Sequence, residues 1–444
     1  MLGKSFLTRR QFVAGTSGLL LAGAVEGVAQ EAAKPAPRSA VALYGGERTV
    51  KRPAPALPIR WGEPERERLE AMLRQKSLFF WKGPQTALLI ERFREVCPMK
   101  YIQTCSSGTA ALHIAVAAAG IGPGDEVITS PITDMGTVIG VLYQQAVPVF
   151  ADLGPNTCNL DVADVERRIT SKTKAIIAVH LLGNPCDLDA LKALADRHGL
   201  VLIEDCAQAW GARYRGRPIG TVGHFACFSL QDSKHVTCGD GGVVATNDER
   251  FGPLVHRFGD KGFNRVTGAH FDVFGTNYRM SEPQAAVAAA QLTRLEAIAA
   301  RRAQLGSLLT EKIAGIPGIW PHQVHPQDRC VYWHHMFRLQ PSAFRKDRHG
   351  FAKALRAEGV PASTGVMFGP LYQKPIFQEH SFFAGHWPVR DFGLTAMDYT
   401  KQSCPEAEAI HQTCIRLPLH EGMTEEWILE VAAAIRKVAR HFAA

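Results

Sequence analysis

From about residue 100 the chain alternates short apolar runs with segments that are apolar only at every third or fourth position. The runs "DEVITS", "VPVFADL", "KAIIAVHLL" and "LVLIEDC" are nearly continuous in apolar character, the pattern of strands buried on both faces of a parallel sheet. Between the last two lies "DLDALKALADRHG", amphipathic at helical spacing and closed by Gly199, so this stretch predicts a βαβ unit. Alternation of this kind predicts a doubly wound α/β sheet, which gathers ligands at the carboxyl ends of its strands. Further on, the pattern predicts an Ala-rich helix from Glu282 to about Leu305 and a helix in "RKDRHGFAKALRAEG". A final helix is N-capped by Thr424, and its stripe Trp427, Ile428, Val431, Ile435 and Val438 reads as core packing.

A length of 444 residues exceeds one small core and suits a large α/β domain with a smaller appendage. The expected division is a linker and N-terminal arm over 30–60, a large domain over 61–307 and a small C-terminal α/β domain over 308–444. Apolar content of 46% and charged content of 21% describe an ordinary globular protein. The net charge of +8 is scattered rather than clustered, so no nucleic-acid partner is expected, and the surface tolerates anionic ligands. Ten cysteines without a C-x-x-C pair give neither a disulfide framework nor a structural zinc, and Cys206 and Cys227 read as buried thiols. His334 and His335 are adjacent and do not share a face, so no metal site is expected there.

The first thirty residues differ in kind. Arg9 and Arg10 precede an apolar stretch too short to span a bilayer, followed by small residues at Gly27 and Ala29. This is the layout of a twin-arginine export signal over 1–29, with cleavage after Ala29. The expected location is periplasmic or exported, with no membrane span in the mature part. The alternative is a plain N-terminal extension on a cytoplasmic protein. "EAAKPAPRSA" then reads as a linker.

Three places carry candidate chemistry. "SSGTAALHIAVAAAGIG" puts Ser107, Gly108 and Thr109 at a helix start, where free backbone N–H groups suit a phosphate; a simple N-cap is the alternative. "VLIEDCAQAWGA" ends a buried strand with Glu204 and Asp205 and adds Gln208; an acid here either faces a ligand or serves as a salt-bridge or cap residue. Lys234 follows "HFACFSL" and lies near the mouth of the same sheet, either as a solvated loop lysine or as a desolvated, nucleophilic amine. Together, a phosphate anchor, an acid for a ring nitrogen and an amine for an aldehyde are what pyridoxal phosphate requires.

At these residues the chain resembles the DegT/DnrJ/StrS family of pyridoxal-phosphate-dependent sugar aminotransferases. The likeness runs from about Tyr44 to the C-terminus through "SSGTAALHIA", "GPGDEVITSP", "IEDCAQAWGARYRGRPIGTVGHFACFSLQDSK", "GDGGVVATND" and "NYRMSEPQAAVAAAQL". It implies the type I (aspartate aminotransferase-like) fold of pyridoxal-phosphate-dependent transferases. It also implies pyridoxal 5′-phosphate as cofactor, glutamate or glutamine as donor, and a keto-sugar or cyclitol ketone as acceptor. Lys234 matches the lysine bonded to the cofactor aldehyde, Asp205 the partner of the ring nitrogen, and Gln208 a contact to the ring side. Gly108, Thr109 and Ser229 match phosphate contacts, with Ser107 beside them. Asn277 matches an asparagine that reaches the phosphate from the neighbouring subunit, so the resemblance implies a homodimer with shared sites. "GVPASTGVMFGPLYQKPIF" looks like relatives acting on aminocyclitol ketones and aromatic amine precursors.

Some positions depart from the family pattern. Asp134 stands where relatives place an aromatic that stacks on the cofactor, so either Met135 or another group covers the ring, or cofactor affinity is weaker. His235 replaces a common asparagine and Leu230 a common phenylalanine. Two other readings are a sugar dehydratase on the same fold, against which the retained lysine counts, and a non-catalytic binding or regulatory protein.

Overall fold

The computed structural model describes residues 40–444, so the export-signal reading of residues 1–29 and the first part of the linker lie outside the described residues. The strands in chain order are β1 (Tyr101–Cys105), β2 (Glu126–Thr129), β3 (Val147–Phe150), β4 (Thr173–Val179), β5 (Val201–Asp205), β6 (Arg213–Tyr214), β7 (Arg217–Pro218), β8 (Phe225–Ser229) and β9 (Gly242–Thr246). β6 and β7 form a ribbon of their own. The other seven make one sheet in the order β1-β9-β8-β5-β4-β2-β3. β3, β2, β4, β5 and β8 are parallel, and β9 runs antiparallel to both β8 and β1. The carboxyl ends of β1, β2, β5 and β8 therefore share one edge.

The four apolar runs fall on β2, β3, β4 and β5, which are buried almost throughout; this is why they lack an alternating pattern. The predicted crossover helix is Leu188–His198, started by Asp187, whose side chain accepts the Ala190 N–H, and stopped by Gly199 at φ 65°. The helix Gly108–Ala118 is buried at every residue but Thr109, which fits its apolar composition.

The Ala-rich segment is two helices, Glu282–Leu292 and Leu295–Ile313, not the one expected from Glu282 to Leu305. The Thr293 hydroxyl donates to the Ala290 carbonyl at 2.7 Å, and the Thr293 and Arg294 N–H groups reach back only three residues. That tightened turn, with Arg294 drawn to Glu65 and to the Arg60 carbonyl, breaks the helix.

A second, antiparallel sheet joins β10 (Ile319–Pro321), β11 (His334–Leu339), β12 (Ser363–Thr364) and β13 (Cys414–Pro418) in the order β10-β11-β13-β12. The helix Leu295–Ile313 serves both cores: Leu295 and Ala299 pack in the first, Leu305, Leu309 and Ile313 in the second. Val41 and Val50 of the arm pack in the second core, and Val366, Tyr372, Phe377 and Tyr399 pack in the first. The final helix is Glu425–Phe442, with Thr424 accepting the Trp427 N–H and the expected stripe buried.

One buried charge ties two helices together. The Glu282 carboxylate is fully buried and accepts the Gln85 and Thr86 N–H groups, each at 2.8 Å, and the Thr86 hydroxyl at 2.6 Å. These donors open the helix Pro84–Val96, whose amino end favours a carboxylate. Glu282→Ala strands three donors and is expected to lower the unfolding free energy by about 3 kcal/mol. Chemical denaturation checks this, and an unchanged midpoint would contradict it.

Candidate active site

Seven of the eight residues singled out in the sequence line one cleft of about 460 Å³ at the carboxyl edge of the large sheet: Ser107, Gly108, Thr109, Asp205, Gln208, Ser229 and Lys234. Each arrives from a strand end. After β1, Ser107 caps the helix Gly108–Ala118 by accepting the Ala110 N–H at 3.0 Å, so the stretch is an N-cap, and Gly108 and Thr109 line the cleft at the helix start. Ser229 ends β8 beside it, its carbonyl fixed by the Trp210 indole N–H at 2.6 Å. A Cβ added to Gly108 would lie 2.6 Å from the Ser229 Cβ, so only glycine allows this approach.

Glu204 and Asp205 are neighbours on β5 and point to opposite faces. Glu204 turns away from the cleft and accepts the N–H groups of Gly220 (2.7 Å), Val222 (2.9 Å) and Gly223 (2.5 Å) and the His180 Nε2–H (3.2 Å). It shares metal-like spacing with His180 and Cys206, but its oxygens are already engaged. Asp205 faces the cleft at 4% exposure, with Oδ2 accepting the Thr137 hydroxyl at 2.8 Å and Oδ1 the Ala207 N–H at 3.1 Å. Thr137 in turn touches the Thr133 hydroxyl at 2.7 Å. Gln208 is held by the Leu182 N–H, which donates to its Oε1 at 2.8 Å.

Lys234 is half-buried, and its Nζ lies 4.2 Å from the centre of the Trp333 ring. Trp333 is fixed by its indole N–H donating to the Ser233 carbonyl at 2.7 Å. Arg60, 9% exposed, reaches from the arm to the carbonyl of Lys234 itself and to that of Asp232 at 3.2 Å. His235 donates Nε2–H to the Val331 carbonyl at 3.1 Å behind the lysine.

Burial pushes the Lys234 amine below the ordinary lysine range, opposed by the charges of Asp205 and Asp134. Burial pushes the Asp205 carboxyl up, opposed by the Thr137 hydroxyl, the Ala207 N–H and the charges of Lys234 and His180. Removing a negative charge near Lys234 must lower its pKa further. In the cofactor-free protein, Asp205→Asn and Asp134→Asn are therefore each expected to move the midpoint of Lys234 reactivity to lower pH. Reductive methylation followed at the Lys234 peptide measures it; a midpoint that stays or rises would contradict this field.

Asn277 does not line the cleft of its own chain. It is exposed, with Oδ1 accepting the Arg279 Nε–H at 2.7 Å. Met135 packs against the core rather than over the cleft, and the aromatic faces come from Trp333 and Phe368. The sequence reading missed Thr137, Trp333 and Arg60. Only Thr137 carried a signal, as a small hydroxyl one turn beyond Asp134 at the helix start.

Residues 60–436 match the model of the DegT/DnrJ/EryC1/StrS aminotransferase family. GDP-perosamine synthase of Caulobacter vibrioides is 36% identical over 78% of this chain and 88% of its own length. A protein of Micromonospora echinospora, named for an L-glutamine:3-amino-2,3-dideoxy-scyllo-inosose aminotransferase activity, is 35% identical over 79% of this chain and 84% of its own. DesV of S. venezuelae, solved with a reaction intermediate, superposes with a TM-score of 0.74 at 32% identity, covering 87% of this chain and 99% of that one. The strand-end acid, the loop lysine and the glycine-lined helix start thus sit in a chain that belongs to the DegT/DnrJ/EryC1/StrS aminotransferase family and has the type I fold of pyridoxal-phosphate-dependent transferases.

Proposed function

We propose that this aminotransferase works with pyridoxal 5′-phosphate and moves an amino group from glutamate or glutamine to a keto-sugar or cyclitol ketone. The observation that carries this reading is the single cleft holding the Lys234 amine, the buried Asp205 carboxylate and the start of the helix Gly108–Ala118. The residues fit the cofactor: Gly108, Thr109, Ser107 and Ser229 would hold its phosphate, Asp205 its ring nitrogen, Gln208 one ring side and Lys234 its aldehyde. When bound, it supplies an aldehyde that joins an amine and a ring that accepts an electron pair from the neighbouring carbon.

The protein's own groups then have defined tasks. Lys234 Nζ, freed when the donor takes its place, removes the proton from the donor Cα and later delivers one to the acceptor carbon. Burial lowers its proton affinity below that of an ordinary lysine, which favours the neutral amine a base requires. Asp205 keeps a proton on the ring nitrogen, and the hydroxyl of Thr137 holds that carboxylate in place. Trp333 covers the amine and keeps water from it.

The test is optical. Purified protein is expected to absorb in the visible, and glutamate or glutamine is expected to bleach that band while the matching keto acid appears. A colourless protein that cannot be reconstituted would favour a binding role.

Two further parts of the reading concern assembly and location. A homodimer is supported by Asn277 lying outside its own cleft, and by Phe274, Val266 and Phe271, which are 100%, 86% and 74% exposed in the preceding loop. Light scattering of the uncleaved 48.5 kDa chain would give twice that mass; a single-chain mass contradicts it. Export is supported by Arg9, Arg10 and the apolar stretch behind them, and a mature N-terminus at Gln30 in the exported fraction tests it. Among the described residues, no helix is long and apolar enough to cross a membrane.

A further inference from the structure

Lys234 sits in a stretch, residues 231–237, that belongs to no helix or strand. Without a ladder of backbone hydrogen bonds, the direction in which its side chain leaves the main chain is set by whatever holds the neighbouring peptide groups. Three consecutive carbonyls there are each held by a side chain from a remote part of the chain. Arg60 Nη1 donates to that of Asp232, at 3.2 Å, and to that of Lys234, while the Trp333 indole N–H donates to that of Ser233 at 2.7 Å.

The surroundings of Arg60 fix it for this contact. Its own carbonyl accepts the Gln291 Nε2–H at 2.8 Å and an Arg294 Nη2–H at 2.7 Å, which pins its backbone to the break between the helices Glu282–Leu292 and Leu295–Ile313. The next turn is held by the Gly62 N–H, which donates to Glu65 at 2.9 Å. The guanidinium itself is buried and, among the described residues, forms no ion pair. Glu421, which feels its charge, is already paired with Arg302 at 2.8 Å. A buried cation is costly to place, and this one is held by the main chain of a single loop. Hydrogen bonds from a charged donor are the stronger kind, so the two carbonyls it bridges are held stiffly.

We propose that Arg60 is a positioning residue for the proton transfers of transamination: by bridging the Asp232 and Lys234 carbonyls it aims the Lys234 amine at the donor Cα. The assignment rests on the aminotransferase reading and makes the N-terminal arm part of that site's machinery. The expected effect is on rate rather than binding, because a reacting group displaced by about 1 Å can cost up to roughly a hundredfold.

The test follows the donor half-reaction, the bleaching of the visible band by glutamate or glutamine, by stopped flow in native protein, Arg60→Ala and Arg60→Lys. In Arg60→Ala the rate at saturating donor is expected to fall about tenfold or more. The half-saturating donor concentration, the cofactor content and the borohydride-fixed label on Lys234 are expected to stay native, which a merely structural role would not allow. Arg60→Lys keeps a charged donor able to hold one of the two carbonyls and is expected to lose less, about threefold. Should the alanine variant fail to fold, the saturating rate of the lysine variant against the native one takes its place. A native saturating rate in a folded variant, an equal loss in both, or a change confined to half-saturation or cofactor content would overturn the proposal. A native protein whose band neither donor bleaches would instead overturn the aminotransferase reading, and this assignment with it.

Discussion

Lys234→Ala is expected to reduce turnover by about a thousandfold or more, while the protein folds normally and still takes up pyridoxal phosphate. Two roles are lost together: the amine that holds and releases the cofactor aldehyde, and the base that moves the proton at the donor Cα. Binding is expected to survive because the proposed phosphate site lies on other elements, Gly108 and Thr109 after β1 and Ser229 at the end of β8. The side chain is half-buried against the cleft, so its removal takes its own charge with it and opens space into the cleft rather than a closed cavity. Lys234→Arg keeps the charge over Trp333 but cannot lose its proton, and is expected to be as inactive as the alanine variant. Steady-state rates and cofactor titration check both variants. Near-normal turnover in either would remove Lys234 from the chemistry.

The second large effect is expected at Asp205. Asparagine has the same shape and can keep a bond from Thr137 or Ala207, so the fold is retained. It cannot hold a proton on the ring nitrogen by charge. Loss of that fixed, buried charge opposite a developing one is expected to cost roughly a hundred- to a thousandfold in kcat. The pKa of Asp205 is raised by burial, yet a cationic ring nitrogen beside it favours the ionised form. Cofactor binding is therefore expected to hold Asp205 ionised against the pull of burial as well as to occupy the site. In Asp205→Asn, the visible band is expected to titrate differently from the native protein. A variant with native kcat and native titration would mean that the carboxylate is structural.

How far the sequence leads can be judged at particular residues. β2 to β5 were legible because burial on both faces leaves an uninterrupted apolar run. β1 was not, since Gln103 and Thr104 are polar; Gln103 is buried by bonding the His256 ring at 2.7 Å and the Thr104 carbonyl at 2.9 Å. The helix break at Thr293 was hidden because a threonine's back-bond is a matter of geometry that the residue type does not fix.

Along the cleft, Ser107, Gly108, Thr109, Asp205, Gln208 and Lys234 could be singled out because each follows an apolar strand run or opens a helix, whereas Ser229 entered only through the family resemblance. Trp333 and Arg60 could not, since they reach Lys234 from remote parts of the chain through tertiary packing. Asp134 was visible as a departure, but its bond to the Gly136 N–H was not.

All of this depends on one covalent attachment point. Holoprotein reduced with borohydride, digested and mapped by mass spectrometry, is predicted to carry the pyridoxyl phosphate mass on the peptide containing Lys234 and to lose it in Lys234→Ala. The same mass on another lysine, or on none, would contradict the account.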